Sequence, residues 1–177
     1  SPQSILSQLG DILDSVEESF SINEFPVEYS CICIEQLTEV FSVSMAESVD
    51  SIVPPLFAII QDEKSIPKSA AALKTLAKLL GLMPEAMSDY SERIVDYLMK
   101  KPFEDTGYIV PCCEGIAFAV DGFKVLELDP GMFITTFLPV IKGAESKDTI
   151  SGILMLIGTV CSVCITIAPD IFEFASE

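Results

Sequence analysis

Histidine and tryptophan are absent from the 177 residues, and arginine occurs once, as Arg93. Without histidine the chain lacks the commonest general base and the commonest nitrogen ligand for zinc, so hydrolase and zinc-site classes both lose ground. Basic residues are scarce and confined: all ten lie between Lys64 and Lys147, while residues 1–63 hold twelve Asp and Glu and no Lys or Arg. A formal net charge of −17 opposes direct binding to a phosphate backbone, and a single guanidinium offers little bidentate phosphate recognition. A field of that sign attracts basic protein segments instead, in a manner that salt screens. No Gly-rich phosphate loop, dinucleotide fingerprint or zinc signature is present, so neither cofactor nor metal is expected.

What the chain does contain is apolar surface. Half of its residues are hydrophobic and the mean hydropathy is +0.48. That is enough to build a core and sets the chain apart from acidic disordered tails. Six cysteines, at Cys31 and Cys33, Cys112 and Cys113, and Cys161 and Cys164, sit inside apolar runs and read as buried free thiols of a reducing, cytoplasmic or nuclear setting. The uncharged run Thr149 to Ala168 has the length of a membrane span. Its internal Ser and Thr, the lack of an aromatic belt and the acids that follow favour a buried helix over a spanning one.

Apolar residues at Ile5, Leu6, Leu9, Ile12, Leu13, Val16 and Phe20 fall at gaps of three and four, the stripe of an amphipathic helix. A second helix is expected over Val27 to Val43, with Ile34, Leu37, Val40 and Phe41 as its core positions. The same two-helix pattern recurs at Ile52–Gln61 with Lys68–Leu82, at Tyr90–Lys101 with Tyr108–Val120, and at Met132–Lys142 with Thr149–Ala168. The breaks fall at Asp62–Pro67, Pro102–Thr106 and Gly143–Asp148. Four hairpins result, at about residues 1–45, 46–83, 84–124 and 129–168, and residues 169–177 begin a further helix. Turn markers at Asn23, Asp62, Glu104 and Glu145 are spaced by 39, 42 and 41 residues. A period near forty with two helices per unit points to an all-α fold of the α-solenoid type, with a compact irregular helical bundle as the alternative.

The second hairpin places Pro54 in its first helix, Asp62 in the turn and Lys68 at the start of its second helix. This resembles the HEAT-repeat signature. The resemblance implies a right-handed superhelical stack of about four hairpins, in which the proline bends the first helix and the turn Asp and the base contact neighbouring repeats. The acidic balance is similar to that of the karyopherin-β (importin) branch, which implies binding of basic targeting segments. Residues Ser91 to Phe174 are also similar to the HEAT arrays of the ribosome-associated general-control activators, which implies a segment of a large translation-control assembly.

Second helices line the concave face of such arrays. Glu28, Glu35 and Glu39 share one face of the first, Lys74 and Lys78 one face of the second, and Glu114 and Asp121 one face of the third. The alternation has two readings: a ladder of ion pairs that fixes the stacking register, or an acidic groove that grips a basic segment. Phe172 and Phe174 mark a candidate association patch near the C-terminus, which would meet further repeats or another chain. Catalysis would have to rest on Glu17 with Glu18 or Ser65 with Lys68, and neither pair is specific, so a non-enzymatic protein-binding scaffold or adaptor is expected.

Overall fold

The computed structural model describes residues 2–22, 26–62 and 65–167, with side chains placed for residues 3–162 of these. Among the described residues the chain is all-α, with nine α-helices and no strand. They are α1 (Pro2–Leu6), α2 (Leu9–Phe20), α3 (Val27–Ala46), α4 (Val49–Asp62), α5 (Ile66–Leu82), α6 (Ser88–Glu104), α7 (Ile109–Val125), α8 (Gly131–Gly143) and α9 (Lys147–Ile167). A single 3-10 turn, Thr106–Tyr108, leads into α7.

Each of α2, α4, α6 and α8 packs on the helix that follows it, and those second helices pack on one another in the order α3, α5, α7, α9. α5 is the centre of the molecule: Leu73, Leu76, Ala77, Leu79 and Leu80 are all buried. Its approach to α7 is set by glycines. A methyl group at Gly122 would collide with the Leu80 carbonyl, one at Gly81 with the Phe118 carbonyl, and one at Gly115 would lie 3.0 Å from Ala77 Cβ. The two backbones therefore touch. First helices meet through larger groups: Phe57 of α4 lies 6.2 Å from Tyr90 and 5.9 Å from Tyr97 of α6, and Phe103 of α6 stacks on Phe137 of α8 at 5.8 Å.

Several boundaries differ from the sequence expectation for physical reasons. The first stripe is broken at Ser7 and Gln8, so Ile5 and Leu6 sit on the short α1 and are exposed. Val40, expected in the core, is 65% exposed: it directly precedes Phe41, whose φ −128° and ψ 34° kink α3, and the helix buries Cys31, Ile34, Thr38 and Met45 instead. α6 runs through Pro102 to Glu104, since a proline in the last turn forfeits only one helical hydrogen bond and here its ring is buried. α7 continues past Val120 to Val125 and stops where Glu127 adopts φ 55°, with the Leu128 N–H donating to the Phe123 carbonyl. The expected helix over 169–177, with Phe172 and Phe174, lies outside the described residues. α9 carries Lys147 and Asp148 in its first turn, and no helix among the described residues is long and apolar enough to cross a membrane.

Gly122→Ala is expected to destabilise the fold by about 1–3 kcal/mol, the range for overpacking, although alanine is the better helix former by about 1 kcal/mol. Gly158→Ala, at an exposed α9 position where the methyl meets nothing within 4 Å, should stabilise by about 0.5–1 kcal/mol. Urea midpoints moving in opposite directions at a constant m value are the expected result. Shifts of the same sign would refute the close-contact account of α5 and α7.

Candidate functional site

The second helices α3, α5 and α7 turn aligned stripes to a common face. On α3 the stripe is Glu28, Ile32, Glu35 and Glu39, spaced four, three and four, which keeps all four residues on one side. On α5 it is Pro67, Ala71, Lys74 and Lys78, and on α7 it is Pro111, Glu114 and Phe118. The small Ala70 and Ala71 lie between longer neighbours, and a groove of about 450 Å³ opens there, from Glu28, Ile32 and Glu35 across α5 to Pro111 and Glu114.

The charges on this face are largely paired across helices. Lys78 Nζ lies 3.2 Å from Glu35 Oε2 and 2.7 Å from Glu39 Oε1, and 4.9 Å above the Phe118 ring. Thr75 Oγ1 donates to Glu35 Oε1 at 2.7 Å, so both Glu35 oxygens are occupied. Lys74 Nζ pairs with Glu114 Oε2 at 3.2 Å. Glu35, Thr75 and Lys78 are buried, whereas the side chains of Glu39 and Glu114 are each 42% exposed. Burial alone would depress the Lys78 ammonium, but its hydrogen bonds to Glu39 and Glu35 outweigh that and leave its pKa above the ordinary 10.5.

The sequence candidates thus separate. Glu35 is a structural link between α3 and α5. Glu39 and Glu114 share a lysine's charge and still face solvent. Glu28, half-buried in the first turn of α3 where the helix dipole favours a carboxylate, makes no ion pair among the described residues and lines the groove. Asp121 is exposed farther along α7 and does not line it. Pro54 lies exposed inside α4 beside Pro55. Asp62 ends α4, and with Lys68 of α5 it lines a small cavity shared with Phe20, Ile22 and Val27, so the turn of the second hairpin faces the first.

Sequence reasoning missed three buried polar groups. Thr75 was hidden in an Ala- and Leu-rich run. Tyr108 Oη donates to Ser69 Oγ at 2.7 Å, and Ser69 in turn reaches the Ile60 carbonyl at 3.5 Å, which ties α4, α5 and the 3-10 turn together. Lys101, buried near the Tyr97 and Tyr108 rings, pairs with Glu104 at 2.6 Å. A shared spacing could have found the first two. Thr75 and Glu35, Lys74 and Glu114, and Tyr90 and Asp50 are each 40 residues apart, and Tyr108 and Ser69 are 39 apart. Among the described residues no group of three or more His, Cys, Asp and Glu could hold a metal ion.

Burial raises the thiols of Cys31 and Cys113 to about 12 from an ordinary 9.0, and that of Cys112 higher still. For Cys31 the Thr75 hydrogen bond opposes the rise, while the charges of Glu35 and Glu28 add to it.

Two outcomes follow. Lys78→Met strands the buried Glu35 carboxylate and should cost about 3 kcal/mol, largely recovered by adding Glu35→Gln, whereas Lys74→Met on the half-exposed pair should cost under about 1 kcal/mol. Denaturant titration of the four proteins checks this, and an equal cost at both lysines would remove Glu35 from its linking role. The raised thiol pKa values give stability that is fully present below the unfolded pKa near 9.0 and lost as pH rises toward the folded values. Unfolding free energy should therefore fall above pH 9.0 by up to about 1.4 kcal/mol per pH unit for each such thiol. Replacing Cys31, Cys112 and Cys113 with Ala should flatten that slope.

Compared with protein-family models, with curated proteins and with solved structures, the chain matches none.

Proposed function

We propose that the chain is a non-enzymatic protein-binding scaffold or adaptor, a HEAT-like α-solenoid segment with right-handed stacking that holds basic segments of other proteins in the groove across α3, α5 and α7. The single observation that carries this is the groove itself. It has an apolar floor at Ile32, Ala71, Pro67 and Pro111, rimmed by the unpaired Glu28 and by the half-exposed Glu114, whose partner Lys74 also lines it. An aliphatic stem lies on such a floor while its ammonium or guanidinium meets the carboxylates, which suits Lys and Arg side chains of an extended peptide. The recurrent spacing of 39 and 40 residues between contacting side chains supports the repeat architecture, as do prolines inside α4, α6 and α8. Cys31, Cys112 and Cys113, buried as unpaired thiols, support a reducing cytoplasmic or nuclear setting.

A second reading, a spacer segment of a large regulatory assembly such as a translation-control activator, is favoured by one observation: Leu138 of α8 and Leu154 and Met155 of α9 are each exposed on the last two helices of the described residues. Salt separates the two, since an apolar assembly contact is nearly indifferent to it.

The test titrates fluorescent Lys- and Arg-rich peptides of about twelve residues into the protein at about 50 and about 300 mM salt. Binding should weaken steeply with salt. It should weaken at least about tenfold in the triple variant Glu28→Gln, Glu39→Gln, Glu114→Gln. A charge-matched triple variant at the exposed Glu47, Asp89 and Glu92 should stay within about twofold of the parent. If both triple variants behave alike, the groove is not where basic segments bind.

A further inference from the structure

α5 lies between α3 and α7, and α7 between α5 and α9, but among the described residues α3 has a second-helix neighbour on one flank only. Its outer flank carries Tyr29, Cys33, Gln36 and Val40 at spacings of four, three and four, up to the break in the helix at Phe41. Tyr29 is 67% exposed and Val40 65%. Two large apolar residues this open on one helix face, on either side of Gln36, offer anchors to a partner. Beside the stripe, α2 and α3 diverge to leave a groove of about 430 Å³, in which Ile12 and Val16 face Tyr29 and Cys33. The Ser19 and Ser30 hydroxyls also line it, 2.6 Å apart, with Ser19 donating to the Val16 carbonyl, and Gln8, Asp11 and Ser15 complete its polar side.

Charge decides what fits. α2 carries Asp11, Asp14, Glu17 and Glu18 and no base, and Asp11 lies on the groove wall. A second copy of the chain docking through the same face would set these acids against each other, on top of −17 per molecule. We propose that this outer groove of α2 and α3 binds an amphipathic helix of a partner protein, its apolar stripe laid along Ile12, Val16, Tyr29 and Val40 and its flanking Lys and Arg residues facing the acids. Helix-in-groove docking of this kind needs anchors spaced by three and four residues, which is the spacing α3 presents. The inner groove described above lies on the adjoining flank of α3, toward α5.

The probe is a labelled peptide of about eighteen residues built from Leu and Lys, with Leu at helical i, i+3, i+4 and i+7 positions, compared with a scramble of the same composition. The patterned peptide should become helical on binding and bind at least about tenfold more tightly than the scramble. It should slow alkylation of Cys33, which lines the groove, and leave that of Cys161 unchanged. Val40→Glu and Val125→Glu each add one negative charge at an exposed position, on the outer flank of α3 and at the end of α7 respectively. Val40→Glu should weaken the patterned peptide at least about tenfold despite its added attraction for lysine, and Val125→Glu should not. Equal affinity of the scramble, the reverse order of the two variants, or an unprotected Cys33 would each overturn the proposal. So would a concentration-dependent dimer of the free protein that Val40→Glu dissolves, because a second copy would then be the occupant.

Discussion

The backbone contact between α5 and α7 is the constraint on which the rest of the molecule hangs. Gly81 and Gly122 let backbone meet backbone and Gly115 faces only the small Ala77, so that layer is drawn together while α4 and α6 are held apart by the rings of Phe57, Tyr90 and Tyr97. Residues forty positions apart are thereby brought side by side. Lys74 can reach Glu114, and Tyr108 can reach Ser69, only because the helices that carry them lie this close. An unequal separation of two helical layers is also what gives a groove to the tighter side, where small residues leave room above the backbone. The inner groove lies over Ala70 and Ala71 of α5, next to that contact.

The same closeness decides which charges can act on a partner. Glu35 is buried with Thr75 and Lys78, and a carboxylate with both oxygens occupied contributes registry between α3 and α5 instead of an accessible charge. Glu39 and Glu114 are intermediate cases: each is countered by a lysine, yet each remains open to water. Glu28 alone of the three α3 acids has no lysine paired with it among the described residues. The ladder and the groove are therefore not competing descriptions of one set of residues. They divide the set, and burial draws the line.

How much of this was legible beforehand depends on the range of the interaction involved. The all-α class and most helix limits follow from gaps of three and four, which are local, and the near-forty period followed from turn residues that are local too. α3 departs from its periodicity because the helix is kinked at Phe41 and apolar residues lie on its outer flank as well as its buried one. Cys31 and Ile34 point inward and Val40 and Val43 outward, and no periodicity count ranks one set above the other. Glu35 was read as a surface acid for the complementary reason: its partners are 40 and 43 residues away, and burying a carboxylate becomes favourable only once those partners are in place. Of the candidate site, the acidic stripe could be read from spacing. The groove floor could not, because it consists of alanines and prolines whose meaning comes from what stands beside them.

Charge asymmetry gives salt two opposed effects on this protein. The first 63 residues hold twelve acids and no base, and Lys74 and Lys78 lie close enough to offset only Glu35, Glu39 and Glu114. The remaining carboxylates repel one another in the compact state, and that repulsion weakens as the Debye length contracts from about 30 Å at 0.01 M to about 8 Å at physiological salt. The free fold is thus helped by the same ions that would loosen the proposed basic partner. A bound cationic segment would do what the ions do, and more locally, since it would place positive charge beside Glu28 or Asp11. Partner binding, as proposed, and screening would relieve one strain by two routes. The net pull on such a partner would therefore be greatest at low salt, where the unrelieved repulsion among α2 and α3 is also greatest.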